Sequence, residues 1–139
     1  MESAKDGMYL VSIFEKDGVV EASLGGRVTA DEISVLAQEI SETFEDLSDQ
    51  PFSLLLDYSR AKRFDPRSLQ ALNELKDLAF EYGVAQIVSV APDEGERTLH
   101  QTSRLQQVLE GREKFVPAGT EQRLLAAEHT RQQQIYRAA

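Results

Sequence analysis

No cysteine occurs among the 139 residues. Disulfides, thiolate metal sites and cysteine nucleophiles are thereby excluded. Imidazole is nearly as scarce: only His100 and His129 supply it, and neither falls in a metal-ligand spacing. No apolar run approaches the roughly 20 residues that a membrane helix needs. The first seven residues, MESAKDG, lack the apolar stretch of a signal peptide. The expectation is a cytoplasmic protein without stable membrane association. Positive charge is also in deficit. A formal net charge of -9 repels nucleic acid and anionic lipid, so neither is expected as a partner. An acidic surface also simply keeps a domain soluble.

Reactive motifs are missing too. Gly25-Gly26 is not a phosphate-binding loop. Asp93-Glu94-Gly95-Glu96 suits a helix start and lacks the ligand pattern of a calcium loop. Asp57, at a strand end, reads as a carboxylate that accepts loop amides, because no serine elbow or second carboxylate motif accompanies it. His100 reads as a surface or half-buried histidine. No catalytic residue, metal or cofactor is assigned, and an enzyme is not expected.

What is present is a pattern of alternating elements. Hydrophobic residues make up 41% of the chain, enough for one core in one domain. Residues 9–14 and 19–24 are β-rich runs joined through Asp17-Gly18, a pair suited to a type I′ hairpin turn. Gly25-Gly26 closes the second run. Ile33, Leu36, Ala37, Ile40, Phe44 and Leu47 then recur at helical spacing, with Thr29 or Asp31 as the cap. Residues 52–58 form a short apolar run suited to a central strand. A polar loop, SRAKRFDPRS, leads to Asp65 as N-cap and Pro66 in the first helical turn. Leu69, Leu72, Leu75, Leu78, Ala79 and Tyr82 line the helix that follows, and Gly83 ends it. Residues 84–91 are another core strand. A helix from Asp93 runs through Leu99, Leu105, Val108 and Leu109 to Gly111, then a short strand spans 114–117. Thr120 opens a last helix with Leu124 and Leu125 inward.

The order β-β-α-β-α-β-α-(β)-α predicts an α/β fold: a mixed four- to five-stranded sheet opened by an antiparallel hairpin, with about four helices. No internal repeat and no long linker divides it. The domain is expected over 8–127, with 128–139 a helical extension or frayed tail.

Asp57-Tyr58-Ser59 at a strand end, Asp65-Pro66-Arg67-Ser68-Leu69 at a helix start, Gly83-Val84 before a strand, and the closing RLQQVLEGREKFVPAGTEQRLLAA occur in one order. This ordered set resembles the family of sulphate transporter and anti-sigma factor antagonist domains, abbreviated STAS. The resemblance implies a STAS-like fold and a bacterial signalling protein in transcription regulation. Its partner would be an anti-sigma factor with kinase activity, or a related regulator, bound through the 58–82 loop and helix. A homodimer is also compatible with it. In that family a serine or threonine at the start of the second helix is phosphorylated and the partner leaves. A phosphate adds about -1.5 to -2 charge, and unit like charges 4 Å apart repel by about 4 kcal/mol at ε near 20.

Here the pattern departs from the family. Arg67 stands on the usual acceptor position, Pro66 where serine is common, and Ser68 in the place of a glycine. One reading is a permanently unmodified binding domain. The other makes Ser68, or Ser59 across the loop, the acceptor. The first is favoured, since one residue of displacement rotates Ser68 by about 100° on a helix.

The same stretch is basic. Arg60, Lys62, Arg63 and Arg67 against Asp65 alone leave +3 in eight residues of an acidic chain. It leads into a helix N-terminus, which favours anions. The expectation is an acidic partner surface, or a phosphate, docked on Asp57, Ser59, Arg60, Lys62, Arg63, Asp65, Arg67, Ser68, Gln70 and Asn73, with Glu74 and Asp77 at the rim. The bland reading is a solvated loop whose arginines pair weakly with nearby carboxylates. The alternative function is a sensor for a small anionic molecule or lipid at the C-terminal strand ends.

Overall fold

Asp17 and Gly18 both take positive φ, 58° and 78°, and turn strand β1 (Tyr9–Lys16) into β2 (Val19–Gly26). This is the turn the Asp-Gly pair predicts. Glu15 strengthens it by accepting the Gly18 N–H at 2.9 Å. The structure, a computed structural model, describes residues 7–118. The last helix expected from Thr120, the boundary at 127, the tail and His129 lie outside the described residues.

Beyond the hairpin every pairing is parallel. Strands β3 (Ser53–Ala61), β4 (Gln86–Val90) and β5 (Glu113–Val116) add in turn, giving the order β1-β2-β3-β4-β5. Ala22 pairs with Leu56, Leu55 with Val88, and Ser89 with Phe115. The crossovers are α1 (Ala30–Leu47), α2 (Pro66–Glu81) and the pair α3 (Glu94–Ser103) and α4 (Leu105–Leu109). When strands add one after another in a single direction, crossovers of one hand place their helices on one face.

That face holds the main core. Successive strand residues alternate sides, so Leu54, Leu56 and Tyr58 of β3 point with Val20, Ala22 and Leu24 of β2 toward α1 and α2. Ile33, Leu36, Ile40, Phe44 and Leu47 of α1 meet them, as the helical spacing requires. Leu55 points the other way and joins Val19, Val88 and Val90. Burial on both faces explains why β3 and β4 read as continuous apolar runs.

The helix starts resolve what the sequence leaves open. Thr29, not Asp31, is the cap of α1. Its hydroxyl accepts the Glu32 N–H at 3.3 Å, and Glu32 returns a carboxylate to the Thr29 N–H at 3.2 Å. This reciprocal box satisfies two amides at the helix start. Asp65 caps α2 and Pro66 follows, as expected.

Two elements differ from expectation. The stretch read as a polar loop from Ser59 begins as strand: β3 runs to Ala61, held because Lys62 N–H donates to Gly26 O at 2.9 Å. The helix expected through Leu99 to Leu109 is two helices, broken at Arg104 with φ -122° and ψ 27°. Leu99, Leu105 and Leu109 are exposed, by 44%, 53% and 77%. Glu96, His100 and Arg104, four residues apart in succession, face inward instead. Arg104 leaves helical geometry where its side chain reaches the carboxylates of Glu113 and Asp77.

Replacing fully buried Leu72 by Ala is expected to cost about 2–5 kcal/mol. Thr29→Ala is expected to cost about 1 kcal/mol. Urea unfolding of the two variants checks both, and the larger loss must fall on Leu72.

Candidate functional site

Parallel strands feeding three crossovers bring three helix N-termini to one edge of the sheet. Thr29, Asp65 and Asp93 cap them, each accepting a first-turn amide. The basic loop lies on this edge between β3 and α2. Arg60, Lys62, Arg63 and Arg67 are all exposed there. Arg27, directly after β2, joins them by topology: its strand pairs with β3 through Gly26 and Ala61. Arg27, Val28, Thr29, Lys62, Arg63 and Asp65 line an open cleft of about 340 Å³. Arg63 also walls a second cleft of about 420 Å³ with Asp93, Gly95, Glu96 and Leu99. The cleft at Asp57, with Ser23, Leu24 and Arg60, is about 80 Å³, room for a few waters rather than a lipid.

The expected site residues separate into two groups. Arg60, Lys62, Arg63, Asp65, Arg67 and Gln70 face outward. Asp57 and Ser59 are half-buried and engage each other: Asp57 accepts the Ser59 N–H at 3.1 Å and its hydroxyl at 2.7 Å. The Ser68 N–H, donated at 2.8 Å, is the main reason the Asp65 carboxyl stays below its ordinary pKa. Asn73 is half-buried and donates its amide to Ser103 Oγ at 3.1 Å, tying α2 to α3. Ser68 is a correction to the expected docking surface. It is fully buried and donates its hydroxyl to Val28 O at 2.6 Å. Its position on α2 turns it toward the connection between β2 and α1.

His100 is the second correction: expected at the surface or half-buried, it is fully buried. Its Nδ1 lies 2.9 Å from Tyr58 Oη and its Nε2 3.0 Å from Glu96 Oε2. Burial pushes its pKa down from 6.5 to about 4, and Lys76 adds to this. Burial also pushes the Tyr58 phenol far up, so it keeps its proton. A neutral ring between a phenol and a carboxylate has one consistent tautomer. Tyr58 donates to Nδ1, and Nε2–H donates to Glu96. Phe64 closes the group, its ring 5.4 Å from that of Tyr58 and 4.8 Å from that of His100.

A second buried network sits one helical turn along. Glu113 of β5 is 1% exposed and carries two cations. Lys76 Nζ donates to it at 2.8 Å and Arg104 Nε at 2.9 Å. Arg104 also donates to Asp77 at 2.8 Å. Burial pushes the Lys76 pKa down against the opposing pull of Glu113. Lys76 lies 4.6 Å above the Phe115 ring. Neither network was assigned from the sequence, although both leave a trace in it. Glu96, His100 and Arg104 repeat every fourth residue, and Lys76 falls four after Leu72 on the apolar face of α2.

The sheet order, the antiparallel opening hairpin and the edge gathering three capped helices define a STAS-like α/β domain. Among solved structures the chain is similar to an anti-sigma factor antagonist from Mycobacterium paratuberculosis. The TM-score is 0.55 at 22% identity, covering 89% of this chain and 94% of that one. It is also similar to an antisigma-factor antagonist STAS domain from Rhodobacter sphaeroides. Here the TM-score is 0.47 at 18% identity, covering 61% of this chain and 86% of that one. No family model and no curated protein matches the sequence. The likeness is one of fold. Among the described residues no helix is long and apolar enough to cross a membrane.

His100 makes stability depend on pH. With its folded pKa near 4 and its unfolded one near 6.5, the unfolded chain binds a proton that the folded chain does not. Stability is therefore full above pH 6.5 and falls on acidification toward pH 4, by roughly 3 kcal/mol. Urea unfolding across this window tests it; His100→Gln, which keeps a donor and an acceptor, must flatten the slope. Glu113→Leu removes the carboxylate of the buried Lys76 and leaves Arg104 only its bond to Asp77; it is expected to cost more than about 3 kcal/mol, read by the same method.

Proposed function

We propose that this domain is a regulatory protein-binding module of the anti-sigma-factor-antagonist kind, acting in bacterial transcription control in the cytoplasm. It docks an acidic surface of an anti-sigma factor, or a related regulator, on the edge formed by Arg27, Lys62, Arg63 and Arg67. The observation that carries this reading is the exposed basic cluster at the meeting point of three helix N-termini, on a chain of net charge -9. Dipoles and cations there have the same sign of preference. Gln70, Asn73 and Glu74 form the polar flank along α2.

The domain works without the serine phospho-switch. Ser68 cannot enter a kinase site while its hydroxyl is buried against Val28, since exposure would require local unfolding of the α2 start. The Ser59 hydroxyl is engaged by Asp57. Arg67, exposed near the start of α2, presents a fixed positive charge.

Affinity capture from the native host tests the reading. The intact chain is expected to retain an anti-sigma factor, and the Arg63→Glu, Arg67→Glu double variant to lose it at least tenfold, with unchanged urea stability. Equal capture by both proteins removes this edge from the interface. Mass spectrometry after incubation with the captured kinase and ATP should find Ser59 and Ser68 unmodified. Phosphate on either would restore the switch.

A further inference from the structure

A buried carboxylate, Glu96, holds the exposed loop between β3 and α2 from beneath. Glu96 is 4% exposed, yet it lies directly under Arg63, which is 89% exposed. Its Oε2 accepts the Phe64 N–H at 3.3 Å and faces His100 Nε2 at 3.0 Å. Its Oε1 is 3.9 Å from Arg63 Nε. Asp93 fixes the turn in which Glu96 stands, because it accepts the Glu96 N–H at 2.8 Å. His100 in turn is held by Tyr58 of the central strand. Among the described residues the loop's backbone is anchored by Lys62 N–H on Gly26 O at 2.9 Å and by Phe64 N–H on Glu96. Arg63 lies between them and walls both clefts.

We propose that Glu96 is a positioning residue for the docking edge, fixing the Lys62–Asp65 loop through the Phe64 amide and being fixed itself by the buried Tyr58–His100 chain. This rests on the docking reading for its functional meaning, although the positioning can be tested independently. The physical logic is preorganisation. A loop already held in its binding conformation loses less entropy on association. The anchor is buried beneath the surface, so it shapes the edge without touching the partner. An unpaired glutamate of this kind would be costly to bury. Here the imidazole N–H and the backbone N–H satisfy it, and that same need fixes where Phe64 must lie.

The experiment uses the full chain with Glu96→Ala, Glu96→Gln and Arg63→Glu. The first readout is amide hydrogen exchange. In Glu96→Ala the Phe64 amide should exchange at least about tenfold faster, whereas amides of β3 and β4 keep their protection. Glu96→Gln should restore much of the protection, because its amide oxygen can accept the same N–H. The second readout is binding of a labelled poly-glutamate peptide of about 20 residues at low salt. Glu96→Ala should weaken it severalfold and Glu96→Gln should recover it, a rescue that general destabilisation does not give. Wild-type exchange at Phe64 in Glu96→Ala overturns the positioning role whatever the peptide does. So does an exchange increase spread evenly over β3 and β4, or failure of Gln to restore protection. Unchanged peptide binding by Arg63→Glu overturns the docking reading instead, leaving the exchange result to judge the anchor.

Discussion

Parallel pairing of strands in strict sequence order is the constraint from which the rest of this molecule follows. Each strand must be re-entered from the same end, so each needs a crossover helix. Crossovers of one hand, applied to strands that add in one direction, set those helices on a common face. Their N-termini then meet at the C-terminal edge of the sheet, where Thr29, Asp65 and Asp93 stand as caps. A basic segment between β3 and α2 therefore falls where helix dipoles already favour negative charge. Arg27 comes to the same edge although it is distant in sequence, because β2 lies beside β3.

The same geometry explains why so much charge is buried. The third crossover arrives on a face already occupied by α2, and what it turns inward is polar. Glu96, His100 and Arg104 meet Tyr58, Lys76 and Glu113, and Arg104 also reaches the exposed Asp77. Buried charges of this kind add little net stability compared with apolar residues of the same shape, but removing one partner is expensive. Their geometry is also directional, as apolar packing is not. The networks fix how α3 sits against α2 and β5, and through Glu96 they fix the loop above.

Much of the architecture is legible in the chain. The Asp17-Gly18 turn, the apolar stripe from Ile33 to Leu47, the Asp65-Pro66 start and the two continuous apolar strands each follow from short-range rules. The stretch after Pro92 is where those rules fail. Its leucines suggest an inward stripe, but Leu99, Leu105 and Leu109 face solvent. Hydrophobicity ranks side chains by transfer from water, and it assigns Glu96, His100 and Arg104 outward because it does not know that partners wait inside. The outward basic residues between β3 and α2 were legible as composition. The burial of Ser68 was not, since it depends on where the Val28 carbonyl lies after α1 has packed.

The amino-acid order by itself determined the type and succession of the elements, because turn chemistry, caps and apolar period act over a few residues. It also determined the sign of charge between β3 and α2. Only the tertiary structure decided which polar groups are interior and which side chain supports the loop. Those outcomes depend on distances between residues far apart in the chain: 42 positions separate Tyr58 from His100, and 37 separate Lys76 from Glu113. No local pattern encodes such a distance, because a buried charge is tolerable only when its counterpart arrives from another element.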